Sequence, residues 1–258
     1  MTRIALVTGA SSGLGREFVK RIDAGQAGPI DEIWVVARRA ERLEALVRTC
    51  STTVRPFCLD LTQASSFQML EDSLAQTREP VVSLLVNNAG FGTFGPLAEQ
   101  KADDTTNMIK LLVQAPVELM YRTLPYMMPG SRIINIASVA AFLPQPKLAV
   151  YSASKRFLLD ISRSLNAELS STGITVTAVC PKFMETEFLD RPGDEQAAAN
   201  MTVIGFEKAS NVARRALRDS SRGKDLCIPS WDMRAYHAAA KVLPYRVALA
   251  AERALGIK

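Results

Sequence analysis

The sequence predicts an α/β fold, a doubly wound parallel sheet of about seven strands with helices on both faces. Short apolar runs alternate along the chain with longer stretches of helical period. Within the runs, apolar and polar residues do not alternate, as expected for strands covered by helices on both faces. With 258 residues, of which 48% are apolar and 22% charged, the chain suits one globular domain spanning residues 1–258.

The elements follow from these runs in chain order. Strands are predicted at residues 3–8, 33–37, 54–59, 82–86, 132–137, 174–179 and 225–228. Helices are predicted to begin near Gly13, Ala40, Ser65, Asp103, Ala149 and Glu207. Right-handed crossovers bring every strand C-terminus to one edge of the sheet, where ligands bind in such folds. Residues 181–206 interrupt the alternation, and a segment of that length predicts a substrate-binding loop.

The C-terminal tail, residues 231–258, carries two short helical patterns that are split at Pro244. Its apolar positions could cover the sheet edge, form a subunit contact or lie on a membrane surface. We expect packing against the sheet edge, with membrane contact the least favoured of the three. These positions are Leu243, Val247, Leu249 and Leu255.

Charge and cysteine usage exclude several classes of protein. The net charge is +5, but no run of five like charges exists, so a nucleic-acid partner is not expected. Cys50, Cys58, Cys180 and Cys227 are widely spaced and His237 is the only histidine, which disfavours a zinc site or a disulfide framework. No leader sequence and no apolar stretch of membrane-spanning length is apparent, so we expect a cytoplasmic protein without a metal.

A glycine-rich turn, residues 8–15, follows the first strand and opens the first helix. Glycines let the backbone approach a pyrophosphate closely, and the helix N-terminus offers N–H groups to it. The spacing is Gly-x-x-x-Gly-x-Gly, without the lysine of a triphosphatase loop. A purely structural turn is the alternative. The candidate phosphate-binding residues are Gly9, Ser11, Ser12, Gly13, Leu14 and Gly15.

The end of the second strand distinguishes between the two dinucleotides. NAD sites usually place a carboxylate there for the ribose 2′-hydroxyl, but this strand ends in Ala37 followed by Arg38 and Arg39. We therefore expect NADP(H), with Arg38 binding the 2′-phosphate. Solvated residues at a helix start are the alternative. Asp60, with Leu61 beside it, is a candidate for the adenine end, although Asp60 or the nearby Thr62 equally suits a helix N-cap.

Three residues form a candidate catalytic set. Tyr151 and Lys155 lie four positions apart in a helical stretch, so their side chains share one face. A nearby ammonium is expected to lower the pKa of the phenol and make it a usable acid or base. Ser138, at the predicted end of the fifth strand, supplies a second hydroxyl at the ligand-binding edge.

In these features the chain resembles the short-chain dehydrogenase/reductase family. The resemblance extends over about residues 3–230 and rests on residues 8–15, the Asn-Asn-Ala-Gly of residues 87–90, Ser138, the Tyr-Ser-Ala-Ser-Lys of residues 151–155, and residues 181–186. It implies a Rossmann-type fold, NAD(P)(H) and hydride transfer at a carbinol or carbonyl carbon.

The resemblance also implies roles for individual residues. Tyr151 would exchange the proton, Lys155 would lower its pKa and bind the nicotinamide ribose, and Ser138 would orient the substrate oxygen. The residues implied to line the cofactor are Asn88, Ala89, Gly90, Pro181 and, at the nicotinamide end, Thr186. Family members commonly pair through the helices that here begin near residues 103 and 149, which implies a homodimer or homotetramer.

The sequence departs from the family pattern at two positions. Leu112 stands where many members have an asparagine thought to hold a water that links the lysine to solvent. Asn107 and Gln114 do not replace it, because each helical residue turns by ~100° and neither shares the face of Leu112. Lys182 stands where glycine commonly follows the proline, and its ammonium could reach the cofactor phosphates or the substrate.

The expected function is an NADPH-dependent carbonyl reductase, reversible as an alcohol dehydrogenase, acting on a hydrophobic ketone or acyl substrate. An NADP(H)-binding sensor or scaffold with little turnover is the alternative favoured by Leu112. A membrane-attached lipid reductase rests on the tail alone. The candidate pocket residues share apolar character, and they are Phe91, Phe94, Phe142, Leu143, Phe183, Met184 and Phe188.

Overall fold

The computed structural model describes residues 1–184, 205–247 and 250. The strands are β1 (Thr2–Thr8), β2 (Glu32–Ala37), β3 (Thr53–Cys58), β4 (Pro80–Asn87), β5 (Arg132–Ile136), β6 (Thr175–Val179) and β7 (Leu226–Cys227). They form one sheet in the order β3-β2-β1-β4-β5-β6-β7, and every neighbouring pair is parallel. The prediction of a parallel sheet of about seven strands is confirmed, with strand ends shifted by one or two residues.

Helices cover both faces of this sheet, as predicted. They are α1 (Gly13–Asp23), α2 (Ala40–Thr49), α3 (Ala64–Gln76), α4 (Ala102–Ile109), α5 (Ala115–Thr123), α6 (Ala149–Glu168), α7 (Ala209–Ser220) and α8 (Trp231–Val242). Phe18 of α1, Leu43 of α2 and Val212 of α7 are buried in the core on one face. Leu70 of α3 and Leu119 of α5 are buried in the core on the other face, with α6 packed against it.

The helix predicted to begin near Asp103 is interrupted. α4 passes into a π-helical turn, Lys110–Gln114, before α5 begins. Pro116 lies in the first turn of α5, and because proline has no N–H it cannot donate to the carbonyl four residues earlier. The missing hydrogen bond accounts for the change of helical period, and it places the wider turn beside the C-terminal edge of the sheet.

The ends of β1 and β4 are joined by side chains at the point where the strand order reverses. Thr8 Oγ1 accepts hydrogen bonds from the N–H groups of Asn88 and Ala89, at 2.9 and 3.0 Å. Asn88 Nδ2 donates to the carbonyl oxygen of Thr8 at 2.9 Å. Because ligands of open α/β folds bind at such a reversal, these bonds define the floor of the expected site.

The structure qualifies the predictions for the tail and the thiols. α8 confirms the first helical pattern of the tail, whereas Leu249 and Leu255 lie outside the described residues. Leu243 and Val247 are exposed, so they do not pack on the sheet edge within this chain. All four cysteines are free thiols. No helix in the described part of the chain is long and apolar enough to cross a membrane.

We predict that Gly15→Ala destabilises the protein. A Cβ at Gly15 would lie 2.2 Å from the carbonyl oxygen of Gly9, so α1 would have to move away from the turn. Overpacking of this kind costs about 1–3 kcal/mol, which lowers the thermal midpoint of a domain of this size by about 2–12 °C. Differential scanning calorimetry measures the shift.

Gly25→Ala is the control for this prediction, since nothing lies within 4 Å of a Cβ there and only the positive φ of +76° is strained. It should lower the midpoint less than Gly15→Ala does. Equal midpoints for Gly15→Ala and the wild type would show that the turn and the helix are not in close contact.

Candidate active site

A cavity of about 590 Å³ extends along the C-terminal edge of the sheet. Its lining includes Arg38, which follows β2, and Met233 and Tyr236 of α8. A cavity of this size at this edge is typical of a binding site for a cofactor and a small molecule. The expected site residues that line it are Gly9, Ser11, Ser12, Gly13, Leu14, Arg38, Asp60, Leu61, Asn88, Ala89, Gly90, Phe91, Phe94, Ser138, Tyr151, Lys155, Pro181, Phe183 and Met184.

The structure places the remaining expected residues elsewhere. Gly15 does not line the cavity, because it packs directly against the backbone of Gly9. Phe142 and Leu143 are buried side chains outside the cavity lining, so they are not pocket residues here. Phe142 instead belongs to a small core with the rings of α8 packed against it. Thr186 and Phe188 lie outside the described residues.

The glycine-rich turn has the backbone geometry that a phosphate site needs. Gly9 and Gly13 have positive φ values of +66° and +51°, which L side chains rarely adopt. A Cβ on Gly9 would lie 2.7 Å from Asn88 Nδ2, so the turn approaches β4 as closely as a residue without a side chain allows. Ser12, the N-cap of α1, makes no side-chain capping bond, which leaves the first N–H groups of the helix available to an anion.

Arg39 is the arginine that contacts this turn. Its Nη2 lies 3.0 Å from Ser11 Oγ and 2.9 Å from Ser12 Oγ. Both Arg38 and Arg39 line the cavity, so two guanidinium groups are present where Arg38 alone is the expected phosphate ligand. The adjacent pair of arginines is visible in the sequence. The sequence does not indicate, however, which of the two arginines contacts the glycine-rich turn.

Asp60 is engaged in a local turn before α3. Its Oδ1 accepts hydrogen bonds from Thr62 N and Thr62 Oγ1, at 3.0 and 2.9 Å. The N-cap of α3 is Gln63 rather than Asp60 or Thr62. Asp60 and Leu61 both line the cavity.

Ser138, Tyr151 and Lys155 meet in the cavity from two elements. Ser138 follows β5, and its Oγ accepts a hydrogen bond from Ala140 N at 3.2 Å, which fixes the turn after the strand. Tyr151 and Lys155 lie one turn apart on α6, with Lys155 Nζ 5.7 Å from the centroid of the Tyr151 ring. The geometry expected from the four-residue spacing is present.

The pKa of Tyr151 differs in direction from the sequence expectation. Burial raises the pKa of the phenol to about 12, and a hydrogen bond with Ser138 opposes that rise. Burial also lowers the pKa of Lys155 to about 8. The Lys155 ammonium donates to the carbonyl oxygen of Ile136 at 2.6 Å, so its nearest hydrogen-bond acceptor is the backbone of β5. The expectation that Lys155 lowers the phenol pKa took no account of burial, which is the larger effect here.

Leu112 fills the space beside the lysine with apolar atoms. It is buried in the π-helical turn, and its Cδ2 would lie 2.8 Å from a Cβ built on Gly90. The position of that Cβ on Gly90 is 3.9 Å from Lys155 Nζ. Asn107 lines the cavity, whereas Leu112 does not, and Gln114 is exposed.

One wall of the cavity, formed by α8, was not predicted from the sequence. Met233 and Tyr236, three residues apart on α8, line it together with side chains of α4 and of the segment before α6. The only sequence signal was the helical pattern of the tail, which fits many roles. The missed lining residues outside α8 include Arg39, Asp104, Asn107, Leu111, Gln145 and Leu148.

Comparison with known proteins finds a matching family and several related proteins. Residues 3–197 match the family described as short chain dehydrogenase. Sulfoacetaldehyde reductase 2 of Chromohalobacter salexigens is 36% identical over 209 residues, which cover 78% of this chain and 80% of that protein.

Two solved structures align over nearly the whole chain. A short-chain dehydrogenase from Sphingobium yanoikuyae in complex with NADPH has a TM-score of 0.78 and 28% identity, covering 98% of this chain and 96% of that one. The bulky-bulky ketone specific alcohol dehydrogenase from Comamonas testosteroni has a TM-score of 0.72 and 25% identity, covering 95% of each chain.

We predict that Lys155 titrates separately from the other lysines. Because burial disfavours its ammonium, its midpoint should lie at about 8, whereas exposed lysines titrate near ~10.4. NMR of the ¹³Cε signals in lysine-labelled protein between pH 6 and 11 measures each midpoint, and Lys155→Met identifies the signal by removing it. A Lys155 signal that titrates with the bulk of the lysines would contradict the burial argument.

Proposed function

The chain belongs to the short-chain dehydrogenase family, and we propose that it is an NADP(H)-dependent carbonyl reductase, reversible as an alcohol dehydrogenase, for a hydrophobic ketone or acyl substrate. Relatives of this chain are oxidoreductases acting on CH–OH or C=O groups. The observation that carries the proposal is the shared cavity. One continuous lining contains Ser138, Tyr151 and Lys155 together with the glycine-rich turn and the arginine pair.

The proposed mechanism assigns one step to each member of the catalytic set. Tyr151 donates its phenolic proton to the carbonyl oxygen, and Ser138 holds that oxygen with a second hydroxyl. The raised pKa of Tyr151 keeps the phenol protonated at neutral pH, which is the form that reduction requires. Lys155, with its pKa lowered to about 8, keeps most of its positive charge at pH 7 and stabilises negative charge that develops nearby. When bound, the nicotinamide cofactor supplies the hydride.

The cavity lining contains suitable groups for the phosphates of the cofactor. The turn around Gly9 and Gly13 would bind the pyrophosphate through backbone N–H groups. Arg38 and Arg39 would bind the 2′-phosphate, since no carboxylate replaces Ala37 at the end of β2. The further proposed contacts are Ser11, Ser12, Leu14, Asp60, Leu61, Asn88, Ala89, Gly90, Lys155 and Pro181. The solved Sphingobium relative contains NADPH and solved neighbours from Burkholderia contain NAD or NADP, so the choice of NADP(H) rests on the arginine pair.

The substrate side of the cavity favours apolar compounds. Phe91, Phe94, Phe183 and Met184 line it. Lys182 also lines this side, but its ammonium lies 2.9 Å from Asp232, so its charge is offset by a carboxylate. The Comamonas relative is named for bulky ketones, whereas the Chromohalobacter relative is named for a small anionic aldehyde. A turnover panel with NADPH and with NADH, containing both substrate classes, decides between them.

An NADP(H)-binding sensor with weak turnover is the second candidate, and Leu112 is the observation that favours it. Its buried side chain packs against Gly90, which neighbours Lys155, and a hydrocarbon side chain offers no hydrogen bond to hold a water. Tight NADPH binding without turnover on the whole panel would favour the sensor. Recovery of turnover by Leu112→Asn would then attribute the loss to that leucine.

We propose that the chain forms a homodimer or homotetramer through the outer faces of α4, α5 and α6. Ile109, Tyr121 and Phe157 are large apolar or aromatic side chains on these helices that are exposed in the single chain. Their burial against a second copy would remove apolar surface from water. The alternative of a membrane-attached lipid reductase rests only on the exposed Leu243 and Val247.

We predict that Tyr151→Phe removes turnover and keeps cofactor binding. Loss of a general acid costs about 10²- to 10⁴-fold in kcat, while the buried ring is retained. Steady-state kinetics measures the loss, and NADPH fluorescence titration measures binding. Tyr126→Phe, which alters a tyrosine outside the cavity lining, is the control and should leave both unchanged. Turnover within twofold of wild type in Tyr151→Phe would remove the proposed acid from the mechanism.

We predict that Arg39→Leu weakens NADPH binding and leaves NADH binding nearly unchanged. A charge-assisted hydrogen bond to the 2′-phosphate contributes about 1.5–3 kcal/mol, which corresponds to a rise in Kd of about 10- to 150-fold. Isothermal titration with both cofactors measures the difference, with Arg38→Leu in parallel. Arg48→Leu, on the same helix α2 and paired with Glu44, is the matched control. An equal loss of affinity for NADPH and NADH would show that Arg39 stabilises the glycine-rich turn and does not bind the 2′-phosphate.

A further inference from the structure

Helix α8 forms a wall of the cavity without being buried itself. Met233 and Tyr236 line the cavity, yet no residue of α8 is buried. Trp231 at its start and Val242 at its end are 78% and 83% exposed. A helix with so little buried apolar surface depends on a few specific contacts for its position.

One of these contacts is aromatic and lies behind the turn that carries Ser138. The ring centroid of Phe142 is 4.3 Å from that of His237 and 6.1 Å from that of Tyr236. Phe142 is itself buried, so it offers α8 a fixed surface. This contact fixes the middle of the helix, and in its N-terminal turn Met233 packs against the same core.

The second contact is an ion pair at that N-terminal turn. Lys182 Nζ lies 2.9 Å from Oδ2 of Asp232, the second residue of α8. Their side chains are only 13% and 32% exposed, so the pair is more shielded from water than a typical surface ion pair. Lys182 follows Pro181 directly after β6, and a glycine at this position would have no side chain with which to reach the helix.

The backbone that carries the ammonium is also fixed. Lys182 N donates to Glu207 Oε2 at 3.1 Å, and Glu207 N donates to the carbonyl oxygen of Phe183 at 2.8 Å. Met184 and Glu207 form a parallel bridge. The Lys182 side chain therefore extends from a fixed backbone position at the C-terminal edge of the sheet. Its ion pair fixes α8 relative to that edge.

We propose that Lys182 is a positioning residue, whose ion pair with Asp232 holds α8 as the wall of the substrate cavity and so sets which substrates are retained. The inference deepens the proposed reductase function and rests on it for its kinetic consequence. The ammonium acts on Asp232 and not on the substrate. Substrates that reach Met233 and Tyr236 depend on the pair, and small substrates that do not reach α8 are independent of it.

The test compares Lys182→Met, Asp232→Asn and the double variant with the wild type. Each single variant removes the pair while nearly preserving side-chain size, so each should raise KM for a bulky aryl ketone by about tenfold with kcat changed less than twofold. The KM of the double variant should be no higher than that of either single variant. Lys182→Arg, which still reaches the carboxylate, should keep KM within about twofold of wild type.

A second readout does not depend on turnover. Hydrogen exchange of the amides in residues 231–242, followed by mass spectrometry, should be at least about tenfold faster in both single variants. Lys224→Met, which removes a lysine 3.3 Å from Asp219, is the matched control and should leave both KM and this exchange unchanged. If the wild type reduces no carbonyl compound, the proposed function fails while the exchange data still test the role of Lys182.

Two results would overturn the inference. Unchanged exchange of residues 231–242 in Lys182→Met and Asp232→Asn would show that the pair does not hold the helix. A rise in KM confined to anionic substrates, present in Lys182→Met and absent in Asp232→Asn, would show that the ammonium binds the substrate directly.

Discussion

The placing of a half-buried phenol and a buried ammonium beside the end of a central strand is the constraint on which the rest of the site depends. Lys155 is 5% exposed and donates to the Ile136 carbonyl, so its charge lies where water is scarce. Burial raises the pKa of Tyr151 to about 12 and lowers that of Lys155 to about 8, so the two values, nearly equal in water, lie well apart in the protein. The phenol therefore stays protonated at neutral pH and is available as the proton donor for reduction, while the ammonium beside it keeps most of its charge.

Other features of the fold maintain this dry environment. The π-helical turn places Leu112 against Gly90, and both lie next to the lysine. A side chain on Gly90 would collide with Leu112, so the two residues fit each other as a pair. On the opposite side, the turn after β5 is fixed by Ser138 and by the hydrogen bond from Val139 N to the Pro181 carbonyl. The end of β6 thereby supports both the catalytic turn and, through Lys182, helix α8.

Most of the fold could be predicted because it depends on local pattern. Unbroken apolar runs determined the seven strands, and Tyr151 and Lys155 were found because helical spacing alone places them on one face. Three features could not be predicted, since each depends on tertiary contacts. The direction of the Tyr151 pKa follows from burial, the role of Arg39 follows from the position of Ser11, and the cavity wall from α8 follows from its docking on Phe142. Phe142 itself looked like a pocket residue, because its sequence neighbours do not reveal that α8 covers it.

The most direct test of the account is to follow the hydrogen that is transferred. The protein is given a bulky ketone and NADPH carrying two deuterium atoms at C4 of the nicotinamide, in ordinary water, and the alcohol product is analysed by NMR. The account predicts deuterium on the carbinol carbon and none on any other carbon. A carbinol carbon carrying only ordinary hydrogen, or tight NADPH binding with no alcohol formed from any ketone tested, would contradict it.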